Sequence, residues 1–314
     1  MSSRRLGFID IGTNTILCLI AELKSDGSFD IIDDLAEITR LGQGVDRAGE
    51  ISPEGEERSV QVLRHYLEWC RRLNVEEIIA VGTSALRDAR NSAEVRARFK
   101  AQLGFEVRVI SGNEEAAYSF LAIQKGLALA GQELLVVDVG GGSTEFIRGN
   151  AAGISQAVSI DIGTVRLTEQ FLHSDPVRKE ECENMIRVIE KELARLPHQW
   201  LRDGAAMSLV GIAGTFTTLS AVERKLLRYA HAEIHGSRLT LSEVRRQVAL
   251  FQGKTIEERK AIPGLEPKRA DVMLAGVTLI ERIMTAFHSE RVIVSDQGVR
   301  YGLLHERLKQ RNSC

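Results

Sequence analysis

Residues 6–15 read Leu-Gly-Phe-Ile-Asp-Ile-Gly-Thr-Asn-Thr, and residues 134–145 read Leu-Leu-Val-Val-Asp-Val-Gly-Gly-Gly-Ser-Thr-Glu. In both, an apolar run enters an Asp, one more apolar residue follows, then Gly and small hydroxyl or amide residues. Asp138 therefore stands where Asp10 stands. The apolar run predicts a buried strand that ends at a cleft. Gly12 and the Gly140–Gly142 run permit a tight reversal and let backbone N–H groups face outward with no Cβ in the way. Such groups form a concave anion site, to which the hydroxyls of Thr13, Ser143 and Thr144 can add donors. Asp10 and Asp138 would repel a bare phosphate; they fit if Mg²⁺ with its waters lies between carboxylate and phosphate. The plain alternative for one copy is an ordinary strand–turn–strand hairpin. Two copies in 314 residues favour a nucleotide or polyphosphate gripped between two related lobes of roughly 150 residues each.

Working outward, the element order repeats as well. Apolar runs at 5–9, 16–23 and 28–40 predict three consecutive strands. A helix follows from Ser52-Pro53, with Pro at its first position and Val60, Leu63, Leu67, Cys70 and Leu73 forming one apolar stripe. A strand at 78–81, a helix capped by Asn91 with Glu94 three residues on, a strand at 106–110 and a helix from about Glu114 complete the first unit. The second half predicts strands at 134–138, 144–149 and 155–160, helices over 164–196, and a strand at 207–212. Helices at 215–229 and 240–288, a strand at 291–295 and a last helix follow. Strand triplets followed by alternating helix and strand, twice, predict two α/β lobes with mixed sheets, residues 1–125 and 126–314. A return of the last helix onto the first lobe is left open.

Composition suits a folded enzyme: 44% hydrophobic and 27% charged residues can build two cores. The net charge of −2 advertises neither nucleic acid nor a membrane surface, so an anionic substrate needs a local basic patch. Cys18, Cys70, Cys182 and Cys314 are scattered without metal spacing and read as reduced thiols. Ser3-Arg4-Arg5 faintly resembles a twin-arginine leader, but the apolar run behind it contains Asp10 and lacks a small-residue cleavage site, so the expectation is that it belongs to the first strand. The uncharged stretch 205–222 holds two Gly and several Ser and Thr, and reads as strand, Gly turn and helix start rather than a membrane span. The expectation is a cytoplasmic protein. The seven histidines form no metal-spaced cluster; His231 and His235 stand at i, i+4, but no acidic partner has a matching spacing.

Six separate motifs carry a resemblance over residues 6–306. They are Asp10-Ile-Gly-Thr-Asn14, Gly82-Thr-Ser-Ala-Leu-Arg87, Ile110-Ser-Gly-Asn-Glu-Glu-Ala116, Asp138-Val-Gly-Gly-Gly-Ser-Thr-Glu145, Gly211-Ile-Ala-Gly-Thr215 and Ser295-Asp-Gln-Gly298. The chain resembles the exopolyphosphatase/guanosine pentaphosphate phosphohydrolase family in its short, two-domain form. That resemblance implies two duplicated ribonuclease H-like lobes of the actin-like ATPase fold, with a phosphate-binding cleft between them. It also implies roles. Glu115 matches the base that activates the attacking water. Asp10, Asp138 and Glu145 match ligands of Mg²⁺ or Mn²⁺. Gly12, Thr13, Asn14, Arg87, Gly141, Gly142, Ser143 and Thr144 match phosphate-binding positions, and Gly214 and Thr215 a further Gly-rich turn. Dimers are common in relatives, so a homodimer is an expectation of the same kind. Arg300-Tyr301-Gly302 departs from the family's Arg-acid-Gly, and Thr13 replaces a Ser.

The chemistry fits independently. Hydrolysing a phosphoanhydride needs charge neutralisation, an oriented water and in-line geometry. Mg²⁺ meets the first need, Arg87 a bidentate grip on phosphate oxygens, Glu115 the proton. The structural alternative for Glu114-Glu115 is a solvated first helical turn, a role that suits Glu114; for Arg87 it is an ion pair with Asp88 or a nearby acid. Arg166, Lys268 and Arg269 are candidates for a basic track. The expected activity is release of terminal phosphate from inorganic polyphosphate. The alternatives are a guanosine pentaphosphate phosphohydrolase, a nucleotide-binding sensor without turnover, and a sugar kinase.

Overall fold

The computed structural model describes residues 3–129 and 131–312. It divides into two units: residues up to Lys125 together with those from Gly298 onward, and Gly126–Gln297.

In the first unit, β1 (Arg4–Ile11), β2 (Thr15–Leu23), β3 (Phe29–Ile38), β4 (Glu77–Gly82) and β5 (Val107–Val109) form one sheet in the order β3-β2-β1-β4-β5. β1 pairs antiparallel with β2 and parallel with β4, so Asp10 lies between Leu17 and Val81. Side chains alternate along a strand. Ile9 and Ile11 therefore join one core with Val60, Leu63, Leu67 and Cys70 of helix Pro53–Arg72. Leu6 and Phe8 join another with Val299, Leu304 and Leu308 of helix Val299–Asn312. Burial on both faces explains why β1 reads as a continuous apolar run rather than an alternating one.

The last helix belongs to this first unit. Buried Arg300 donates through Nε and Nη2 to Asp34 of β3, both at 2.8 Å, and the Tyr301 hydroxyl donates to the same carboxylate at 3.0 Å. The acid that the Arg-Tyr-Gly stretch lacks is thus supplied from β3. Gly302 permits the close approach: a Cβ there would lie 2.2 Å from Tyr118 O.

The second unit contains β6 (Leu134–Val139), β7 (Thr144–Asn150), β8 (Gly153–Ile160), β9 (Ser208–Ile212), β10 (Arg238–Thr240) and β11 (Arg291–Val294), in the order β10-β11-β9-β6-β7-β8. From the β8 edge, the first five strands repeat the order of the first sheet, and β10 adds an antiparallel edge to β11. Two α/β lobes share one mixed-sheet topology, the ribonuclease H-like lobe duplicated as in actin-like ATPases. The duplication extends to single bonds: Gly12 N donates to Thr15 O at 3.1 Å, and Gly140 N to Ser143 O at 3.0 Å.

Several sequence expectations need correction. The helices expected over 164–196 are Thr164–Phe171 and Lys179–Leu193, with Pro176 in the gap. The segment 240–288 breaks into Leu241–Gln252, Ile256–Lys260 and Met273–Ala286, separated by Gly253 and by Pro263-Gly264, where Gly264 has φ +89°. Asn91 does not cap its helix with its side chain; that amide both donates to and accepts from the Ile51 backbone, at 2.9 Å each way. Cys18, Cys70 and Cys182 are buried and unbridged, and Cys314 lies outside the described residues. No helix among the described residues is long and apolar enough to cross a membrane.

Removing Asp34 takes this partner from the charge of buried Arg300. Asp34→Ala is therefore expected to lower the unfolding free energy by about 2–4 kcal/mol in urea denaturation; an unchanged midpoint would show that the last helix is held by its apolar face alone.

Candidate active site

The second unit presents its turn most plainly. Thr164 N donates to Gly140 O at 3.0 Å, Val165 N and Arg166 N to Gly141 O at 2.9 and 3.1 Å, and Arg166 Nε to Gly142 O at 2.9 Å. In a planar trans peptide the C=O and the following N–H point in opposite directions. With those three carbonyls tied to the start of helix Thr164–Phe171, the N–H groups of Gly141, Gly142 and Ser143 point away from it as a row. Gly163 makes this possible: a Cβ there would lie 2.4 Å from Gly141 O and 2.7 Å from Gly142 N. Nothing in the chain's local pattern singled out Gly163, because its requirement comes from a contact across 20 residues of sequence.

Asp138 and Glu145 stand directly opposite each other on β6 and β7, hence on one face of the sheet. Glu145 is buried and accepts the Ser159 hydroxyl at 2.9 Å. Thr144 departs from its expected part as a phosphate donor: its hydroxyl donates to Ile162 O at 2.6 Å and is fully buried. Gly214 and Thr215 open helix Ala213–Glu223, whose first residue, Ala213, holds the left-handed φ of +71°. The Arg269 guanidinium lies flat against Gly214, since a Cβ there would meet it at 2.3 Å, and the Thr217 and Thr218 hydroxyls donate to Gly214 O.

The first unit repeats the device with other partners. Gly42 N donates to Thr13 O at 2.9 Å, while Thr39 N and Arg40 N donate to Asn14 O at 3.0 Å each. The N–H of Asn14 therefore faces away from the 39–42 loop. Glu115 sits in the first turn of helix Gly112–Gly126, buried, and Arg87 Nη1 donates to it at 2.9 Å and to Ile110 O at 3.2 Å. Arg87, expected on phosphate, pairs with Glu115, and Asp88 lies 4.0 Å from its Nε. Glu114 accepts the Ser111 N–H and hydroxyl and so caps the helix.

Burial pushes the Glu115 carboxyl up, against the pull of Arg87. Asp10 is pushed up to about 7, by burial first and the neighbouring charge of Glu115 second, with Arg300 working against both. Asp10 Oδ1 is buried without a hydrogen-bond partner. An uncompensated buried carboxylate oxygen beside a second acid is the environment a cation relieves. Among the described residues no three His, Cys, Asp or Glu side chains converge on one point; the acids fall into the pairs Asp10 with Glu115 and Asp138 with Glu145. Mg²⁺ needs no more, because it is held by one or two carboxylates plus waters and substrate phosphate. The residues present fit it.

Gly163→Ala would press a methyl group into the second unit's turn. It is expected to weaken pyrophosphate binding, read by isothermal titration calorimetry, by roughly tenfold, the equivalent of one charge-assisted hydrogen bond. An unchanged affinity would mean that the N–H row is not an anion site.

Residues 19–311 match the Ppx/GppA phosphatase family. Exopolyphosphatase 2 of Mycobacterium tuberculosis is 36% identical over 319 residues, which cover 96% of this chain and 98% of that protein. The bifunctional 3-dehydroquinate synthase/phosphatase of Fusobacterium nucleatum is 34% identical over 313 residues, 96% of this chain but 46% of that longer protein. The crystal structure of the Aquifex aeolicus Ppx/GppA family member superposes with a TM-score of 0.81 at 34% identity, covering 99% of each chain. The chain belongs to the Ppx/GppA phosphatase family.

Proposed function

We propose that this phosphatase-family protein is an exopolyphosphatase that hydrolyses the terminal phosphoanhydride bond of inorganic polyphosphate and releases orthophosphate. The observation that carries the proposal is the repeated turn whose carbonyls are tied back and whose N–H groups face outward, each at the end of a strand that closes on an Asp. A polymer of identical phosphates suits a chain that carries the same phosphate-holding device twice. A relative 36% identical over nearly its whole length is named an exopolyphosphatase, which favours the same substrate.

In this reading Asp10 holds Mg²⁺ in the first unit, and Asp138 and Glu145 serve a cation in the second; bound there, the metal neutralises charge on the transferring phosphoryl. The backbone N–H groups after Gly12 and of Gly141–Ser143 bind phosphate oxygens. Glu115 accepts the proton of a water as its oxygen bonds to the terminal phosphorus, while the anhydride P–O bond breaks and the shortened chain leaves. Arg87 fixes the Glu115 carboxylate, so the acceptor oxygen is oriented before substrate arrives. Burial keeps that carboxylate more basic than an exposed one, which matches a base working near neutrality.

Glu115→Gln keeps the shape and removes the base. It is expected to lower phosphate release from long-chain polyphosphate by about 10²- to 10⁴-fold at saturating Mg²⁺. Guanosine pentaphosphate is assayed in parallel: release from that nucleotide alone would replace polyphosphate with an alarmone as substrate, and release from neither would make the protein a binder without turnover. Removal of divalent metal with EDTA is expected to abolish turnover, and Asp10→Asn to raise the Mg²⁺ concentration for half-maximal rate; metal-independent release would overturn the cation's place in the reaction.

A further inference from the structure

The chain passes between its two units twice, at Lys125–Gly126 and at Gln297–Gly298. Inside the second unit, one side-chain cluster joins the residues at these two passages. His235 Nε2 lies 3.0 Å from Gly126 O, and its Nδ1 lies 3.0 Å from Ser295 Oγ and 3.4 Å from Asp296 Oδ1. Asp296 Oδ2 accepts the Tyr229 hydroxyl at 2.8 Å and lies 2.7 Å from His231 Nδ1. The two imidazole rings stack 5.1 Å apart at 14°. Gln297 packs on Gly126 so closely that a Cβ on that glycine would lie 2.0 Å from Gln297 Oε1. The hydrolysis proposed above uses none of these side chains. The acidic partner that His231 and His235 lack in local sequence is Asp296, which the β11 end brings in from more than 60 residues away.

The atoms dictate where protons sit. Gly126 O can only accept, so His235 Nε2 carries a hydrogen. In a neutral ring Nδ1 then accepts the Ser295 hydroxyl and offers no donor to the Asp296 carboxylate. Asp296 Oδ1 is buried, and His235 Nδ1, 3.4 Å away, is the group that faces it. A second proton on Nδ1 turns both ring nitrogens into donors and places a cation beside a buried anion. Burial pushes the Asp296 carboxyl up, but the hydrogen bonds from His235 and Tyr229 and the charge and bond of His231 outweigh it and bring it down to about 2. Asp296 is therefore ionised throughout the neutral range. Burial alone would lower His235, yet the bonds to Asp296 and Gly126 O raise it. The titratable groups that face this site are Asp296, His231 and Tyr229, and Arg269 acts on Tyr229 from the 267–269 turn.

We propose that His235 is a proton-operated clasp: as an imidazolium it ties Gly126 to the Asp296 carboxylate, and as a neutral ring it loses that charged tie, keeps only neutral bonds to Gly126 and Ser295, and holds the two passages less firmly. A group whose value is raised on folding contributes its stability in full below its unfolded value, here 6.5, and loses it as pH rises through the folded value. The clasp is closed below 6.5 and loosens as pH rises through the raised folded value.

Hydrogen exchange on the full chain, with labelling times scaled for intrinsic exchange at pH 6.0 and pH 8.5, reads the clasp without reference to catalysis. In the wild type, protection of segments 122–128 and 293–299 is expected to fall together by roughly tenfold at the higher pH, the loss of one charge-assisted bond. His235→Gln should show equal protection at both values, and His231→Asn should keep the wild-type difference. Wild-type protection that does not change with pH overturns the proposal, whether or not the variants fold. So does a pH dependence that survives His235→Gln or disappears in His231→Asn.

Discussion

The carbonyls of Gly140, Gly141 and Gly142 are hydrogen-bonded to the beginning of the next helix, and much of the second unit is arranged around that constraint. A glycine run alone is flexible and points its amides anywhere. Once its three carbonyls are fixed, planar peptide geometry sends the amides the other way, at no cost when an anion arrives. The arrangement needs a bare Cα at Gly163, a strand that stops at Asp138, and a neighbour on β7 that sets Glu145 opposite it. The first unit solves the same problem with a loop, residues 39–42, instead of a helix start.

Rigid strands give these turns their accuracy. β1 is covered on both faces, so Asp10 projects from a strand that has no freedom to tilt. The covering helix is the last one of the chain, secured by a bidentate pair between buried Arg300 and Asp34. That arginine also reduces the upward shift of Asp10. One residue thus links the end of the chain to the electrostatics at its beginning. Glu115 and Arg87 form the other half of the same balance: burial makes the carboxylate basic, and the guanidinium keeps it ionisable and in place.

Features with a local cause were legible in the sequence. The duplicated Asp-Gly turns announced two lobes with equivalent strands, Ser52-Pro53 announced a helix start that Ser52 does cap through Gly55 N, and Glu114 fell into its capping role. Features that depend on distant partners were not. Asp34 as the partner of Arg300, Gly163 beneath the glycine run, Ile162 O as the acceptor of Thr144, and Asp296 between two histidines all arise from contacts across the fold. β10 spans three residues, too few for any alternation to register. Helix ends within the 240–288 segment were not marked, because an apolar stripe can continue across a Pro or Gly that the backbone cannot.

The most direct test of the central claim is hydrolysis of a polyphosphate of defined length in ¹⁸O-labelled water, with product lengths and isotope content followed together. Attack by water on the terminal phosphorus predicts orthophosphate carrying one solvent oxygen per cleavage, and a residual chain that shortens from its end. Internal fragments, or orthophosphate without the solvent label, would contradict it.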